Sequence, residues 1–462
     1  MTTEQLNERR LEELRRQVDA LPREIAGWMA RSRPDAAMKV HHTQLTAIKA
    51  LMDAMLEVQK VQVGQLSPAA GDFATTALQI TREVIRVQQV WEFFRDQLSL
   101  RFSPDFQESL WIADTVAWSC HRPVLEEASA RGAVVLDEVR EPPLTQVIAE
   151  FSPATWVRGS RPQGSGGLLL GTALLPIPVI QVPADHLVNS WELLSVVHEV
   201  GHDLEKDLGL ESRLRESLEG ALDQAGVPVD RKATWQLWRG ELFADLVALQ
   251  LAGSAFARSL MSLLLLPKAL VVDFRAADPH PTPWVRILLN AAYVRTLIPE
   301  GPGAVGQARL RLEADAAALE GDWKAAYPDP SADADVFLAD APHVFRALMD
   351  TPFPELKGAT ARALMPFTAA DDARIRAAAD YLATGQNAPQ KGSFGKIRQT
   401  LSAARLAVDR TDRPDLAAYL QEVDGRARKL VRDNTPDVVR GSDSAAHLKY
   451  VRSFAKSLLE VS

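Results

Sequence analysis

Residues Leu193 to Asp203 read Leu-Leu-Ser-Val-Val-His-Glu-Val-Gly-His-Asp, and this run constrains the fold more tightly than any other part of the chain. Its two histidines, His198 and His202, stand four residues apart. On an α-helix that spacing puts both on one face, where they can reach a common point. Leu193, Leu194, Val196 and Val197 supply an apolar side that anchors such a helix in a core. Gly201, lying between the histidines, has no side chain and lets another backbone come close. The pattern predicts a buried, rigid helix from Trp191 to about Leu208.

Helical periodicity dominates elsewhere. Leu45, Ile48, Met52 and Met55 make one apolar stripe, and Ile80, Val84, Val87, Trp91, Phe94 and Leu98 a longer one. Pro22, Pro34 and Pro68 are expected to end helices between these segments. Helix is expected to continue, less regularly, from about 103 to 150. The character then changes. Thr155 to Arg158 reads as a short strand, followed by a Gly/Ser-rich loop over 159–167. Ile177 to Pro183 reads as a second strand, placed at a sheet edge by its prolines. Helices return over Trp235 to Ala252 and Thr282 to Leu297. The last third is Ala-, Leu-, Arg- and Asp-rich, with breaks near Pro328, Pro352 to Pro354, Pro389 and Pro414. The expected fold class is mainly α with a small β-sheet (α+β). We divide it into a helical N-terminal region over 1–102, a central domain over 103–300 and a helical C-terminal region over 301–462.

The single cysteine, Cys120, excludes an internal disulfide and any metal site built from several thiolates. Metal ligands must then be histidines and carboxylates. A net charge of −8 argues against nucleic acid or an anionic membrane as partner. No apolar run is long enough to span a bilayer, and the charged start lacks a secretory h-region, so the expectation is a soluble cytoplasmic protein. From Lys391 onward fourteen Lys and Arg face nine Asp and Glu; this reads as a solvated helical face or as a docking surface for an acidic protein partner. His41 and His42 precede a helix and are expected to be exposed. Cys120 and His121 are adjacent and point apart on a helix, so a thiol dyad is not expected. No Gly-rich loop has phosphate-cradle spacing.

The chemistry lies in His198-Glu199-x-x-His202. Two imidazoles on one helix face can hold a metal ion, with Glu199 beside an open coordination position where a water binds. A catalytic zinc takes three protein ligands, and Trp238-Arg-Gly-Glu-Leu-Phe-Ala-Asp245 offers the third. Glu241 and Asp245 lie one helical turn apart, so one carboxylate can bind metal while the other accepts the free ring N–H of a ligating histidine. An ion pair is the plainer role for Asp245, and a surface carboxylate the plainer one for Glu241.

The set His198-Glu-x-x-His202, Glu241-x-x-Ala-Asp245 and Asp278-Pro-His-Pro-Thr-Pro-Trp-Val-Arg286 resembles the gluzincin metallopeptidases, and most of all their M48 branch. The resemblance spans about residues 170 to 300. It implies a zincin-like core, a Zn2+ cofactor held by His198, His202 and Glu241, and Asp245 supporting them from behind. It also implies Glu199 as general base and His280 or Arg286 as stabiliser of the oxyanion. Tyr293 is a further donor candidate, and His280 has the plainer reading of a turn residue. Zinc would polarise the scissile carbonyl and acidify water. Glu199 would take the water proton and return it to the leaving amine, and the strand Ile177 to Val182 would pair with an extended protein or peptide substrate. Membrane substrates do not carry over, because this chain lacks membrane helices. The alternative is a mostly helical interaction or regulatory protein with an inactive or structural metal site.

Overall fold

The computed structural model describes residues 1–32, 35–135, 141–162, 174–275, 277–328, 334–389, 396–410, 415–435 and 445–461. It is mainly helical. The N-terminal helices are α1 (Thr3–Ser32), α2 (His42–Gln65) and α3 (Phe73–Ser99), followed by α4 (Gln107–Ala130). Three strands come next: β1 (Leu144–Ile148), β2 (Ala154–Trp156) and β3 (Val179–Pro183). The central helices are α5 (Leu194–Asp207), α6 (Glu211–Gln224), α7 (Val229–Ala252), α8 (Ser254–Leu263) and α9 (Pro283–Val294). The C-terminal ones are α10 (Ala304–Ala326), α11 (Ala334–Phe345), α12 (Ala369–Thr384), α13 (Ile397–Val408), α14 (Leu416–Asn434) and α15 (Ala445–Val461).

The sheet corrects two expectations. Its order is β1-β3-β2, with β1 parallel and β2 antiparallel to β3. The strand expected at an edge, β3, is therefore the central one. Its prolines sit at the margins (Pro178 just before it, Pro183 at its end), so Val179 to Val182 keep every N–H for the two ladders. The free edge nearest α5 belongs to β2 instead. The stretch expected to remain helical holds β1, where Pro142-Pro143 block a helix and Thr145, Val147 and Ile148 favour extended backbone.

Both faces of the sheet are covered. Ile180 and Val182 point into a large core that runs from Ile112 on α4 to Val431 on α14. Leu144, Trp156 and Val179 point the other way, into a second core shared with α2, α3 and Val451 and Leu458 of α15. This alternation is the period of a strand buried on both sides. The C-terminal helices thus enclose the same core as the central ones, and the last helix closes over the N-terminal layer.

Two further expectations fail for identifiable reasons. Helix α1 passes straight through Pro22. A mid-helix proline costs about 3 kcal/mol, but Leu11, Leu14, Val18, Leu21 and Ile25 form one buried stripe across it. Burying such side chains is worth roughly 1.5–3 kcal/mol each, so packing outweighs the proline. Pro68 does lie between α2 and α3 as expected, and Pro34 is outside the described residues. His41 is buried rather than exposed: its ring bonds Gln44 at 2.6 Å and lies 3.3 Å from Asp114. Asp114 also takes two bonds of 2.9 Å from the buried Arg101 and one of 3.1 Å from the Thr145 N–H. This charged knot ties the N-terminal helices to α4 and β1. Most of the Gly/Ser loop over 159–167 lies outside the described residues. Among the described residues no helix is long and apolar enough to cross a membrane.

Candidate metal centre

Helices α5 and α7 pack face to face, and Gly201 makes their contact possible. A Cβ on Gly201 would lie 2.6 Å from the Ala244 Cα and 3.1 Å from its carbonyl oxygen. With glycine there, the turn of α5 that carries the histidines meets the turn of α7 that carries Glu241 and Asp245. Gly201→Ala is accordingly expected to destabilise the protein by about 1–3 kcal/mol through overpacking and to weaken metal binding. Urea denaturation and zinc competition would measure the two effects.

The ligand atoms of His198, His202 and Glu241 all lie within 4.8 Å of one another. His198 Nε2 is 3.4 Å from Glu241 Oε2, and His202 Nε2 is 3.4 Å from Glu241 Oε1. Donors bonded to one tetrahedral zinc at about 2.0–2.1 Å stand roughly 3.3 Å apart; the two imidazoles and one carboxylate are a donor set zinc takes, and each imidazole stands near that distance from one of the two Glu241 oxygens. The rings of His198 and His202 meet edge to face, with centroids 5.0 Å apart, and His198 stacks on Phe256. Phe256 carries no periodic signal that would have picked it out.

Beneath these three residues lies a buried charged layer. His198 Nδ1 is 2.9 Å from Asp245 Oδ1. Arg286, from α9, grips Asp245 with Nε on Oδ2 and Nη2 on Oδ1, both at 2.8 Å, and places Nη2 3.0 Å from Glu241 Oε2. Asn290, one turn further along α9, donates to Asp245 Oδ2 at 3.0 Å. Asn290 escaped the sequence reading, although its four-residue spacing from Arg286 mirrors that of Glu241 and Asp245.

The charges of this layer depend on one another. Burial pushes Glu241 up, but His198, His202 and Arg286 more than offset it and hold the carboxyl well below the ordinary range. Burial also opposes ionisation of Asp245, and Arg286 with His198 overcomes it, bringing the group to about 2. Burial disfavours the charged form of His198, yet Asp245 and Glu241 raise that ring to about 10. A cation entering here must displace its proton. Glu199 differs: it is 4% exposed, and burial raises its pKa with His198 and His202 only partly opposing.

His198, Glu199, His202 and Glu241 line a cavity of about 750 Å³. One wall is Pro153 with Ala154 and Thr155 at the start of β2, together with Asp185 and His186; another is Leu263, the last residue of α8, and Leu264 to Leu266 after it. His280 stands on the rim, 58% exposed, with Nε2 3.5 Å from Glu241 Oε1. Its backbone N–H and Nδ1 both meet Asp278 Oδ1, at 2.9 and 3.1 Å, and the Trp238 indole bonds the Asp278 carbonyl at 3.1 Å. Tyr293 is not brought to the site. It is fully buried, and its hydroxyl accepts from Gln250 at 2.8 Å. Cys120 and His121 also stay apart from it. Burial pushes the Cys120 thiol up to about 11, and His121 bonds Asp207 at 3.0 Å near the C-terminal end of α5. Set against family models, curated proteins and solved structures, the chain matches none.

Proposed function

We propose that the chain is a zinc-dependent peptidase with a zincin-type core of the gluzincin kind, in which His198, His202 and Glu241 hold the ion and Glu199 is the general base. The reading rests chiefly on the two 3.4 Å separations between Glu241 and the imidazoles, together with Glu199 in the same cavity. A zinc ion so held supplies Lewis acidity, polarising a carbonyl and lowering the pKa of water to about 7. The remaining work falls to the chain. Glu199, raised by burial, takes a proton from the attacking water and delivers it to the leaving amine. Asp245 fixes the tautomer and orientation of His198, and Arg286 orients Glu241. Among the described residues β2 has no strand on its outer side, and this edge can pair with an extended peptide. His280 already donates Nδ1–H to Asp278, so it stabilises an oxyanion through Nε2 only as an imidazolium.

Zinc content and cleavage of a peptide mixture, measured for wild type and His202→Ala, test the proposal. One zinc per wild-type chain is expected, with both zinc and cleavage lost in the variant. An absence of zinc from both proteins, or cleavage untouched by chelation, would remove the peptidase reading.

A further inference from the structure

Besides His198, His202 and His280, a fourth histidine, His186, lines the same cleft, and the proposed chemistry leaves it without a role. His186 lies in the short 3₁₀ turn Ala184–Leu187 after β3, and Ser195 in the first turn of α5, one turn before His198. Ser195 Oγ donates to the Glu192 carbonyl at 2.9 Å and lies 3.3 Å from His186 Nδ1. A hydroxyl has a single proton, and the shorter bond uses it. Oγ therefore turns a lone pair toward His186, Nδ1 carries the ring proton, and Nε2 of the neutral ring is left as an acceptor. Among the described residues Nε2 has no protein partner. The ring is only 7% exposed and lines the cavity shared with His198 and Glu199, so its acceptor meets whatever fills the cleft.

The sheet register says what that would be. Ala154 of β2 stands opposite Gln181 of β3, and the two strands are antiparallel. The turn that follows β3 therefore lies beyond the start of β2, at the end of the cleft where Phe151 to Pro153 also line it. β2 is three residues long. A peptide laid along its edge soon runs out of strand carbonyls, and a backbone N–H buried past that point needs another acceptor. We infer that His186 is a substrate-positioning residue whose Nε2 accepts a backbone N–H of the bound peptide just beyond the stretch paired with β2. The inference rests on the peptidase reading.

The test uses the zinc-loaded full chain and a fluorogenic peptide that wild type selects from a mixed library. His186→Phe keeps the ring but removes both nitrogens; KM should rise about 5-fold, the worth of one hydrogen bond, with kcat, zinc content and melting temperature unchanged. His186→Gln, whose Oε1 can accept, should recover most of the loss. N-methylation of the peptide at one backbone position should weaken binding to wild type and leave His186→Phe indifferent. An unchanged KM in His186→Phe, or the same N-methyl penalties in both proteins at every position, would overturn the role of His186 and leave the peptidase standing. Zinc-loaded wild type that cleaves nothing from the library would overturn both.

Discussion

Replacing Glu199 by glutamine should lower kcat by about 10²–10⁴-fold, the usual contribution of a positioned general base, while one zinc per chain remains bound. Glutamine has nearly the same shape but cannot accept the water proton at working pH. Glu199 is not among the three converging ligand residues, so its loss removes chemistry without removing the ion. Folding should not suffer. The carboxylate is buried and its pKa raised by that burial, so a neutral amide relieves a desolvation cost, and the variant should melt at or above the wild-type temperature. Single-turnover cleavage beside a zinc assay separates the two effects. Proteolysis undiminished in the variant would show that another group, or no base, acts here.

The second large effect is expected at Asp245. This carboxylate neutralises the buried Arg286 through two bonds and faces the His198 Nδ1. Asp245→Ala leaves a guanidinium inside the core whose remaining carboxylate hydrogen bond, among the described residues, is the one to Glu241. Breaking a buried pair from one side costs about 3–5 kcal/mol, and the surviving 3.0 Å contact to Glu241 places this case near the lower end. With His198 ligating as proposed, loss of its carboxylate partner should also weaken metal binding by about 10–100-fold. Urea denaturation and zinc competition should therefore both report a loss, whereas a purely structural ion pair would move only the first. The pH dependence has a definite sign. Asp245 titrates at about 2 in the folded chain, below its unfolded value near 3.9. Its stabilisation is complete above that unfolded value and is lost as pH falls through about 2. Asp245→Asn should flatten that acid limb.

Helices α5 and α7 were legible because each combines an apolar stripe with polar residues four apart. In both cases the periodicity that buries the helix also sets which side chains converge. Arg286 was legible as the arginine six residues past His280 and as a candidate for the oxyanion; its partnership with Asp245 required knowing how α9 crosses α7. The sheet was read less well. Short strands buried on both faces lack the alternation of a half-exposed strand, and the prolines flanking β3 signalled its ends, not an edge. His41 gave no sign of burial, because its partners Arg101 and Asp114 lie on elements distant in sequence. Pro22 misled because a local rule was set against a stripe long enough to override it. His186 and Ser195 are nine residues apart across a strand-to-helix turn, and no periodicity links them.

The most direct measurement of the central claim is zinc-edge X-ray absorption on the purified protein, wild type and Glu241→Ala. A wild-type shell of two imidazole nitrogens and a carboxylate oxygen at about 2.0–2.1 Å, with the protein oxygen missing in the variant, is the expected result. A protein that binds no zinc, or a spectrum unaltered when Glu241 is removed, would contradict it.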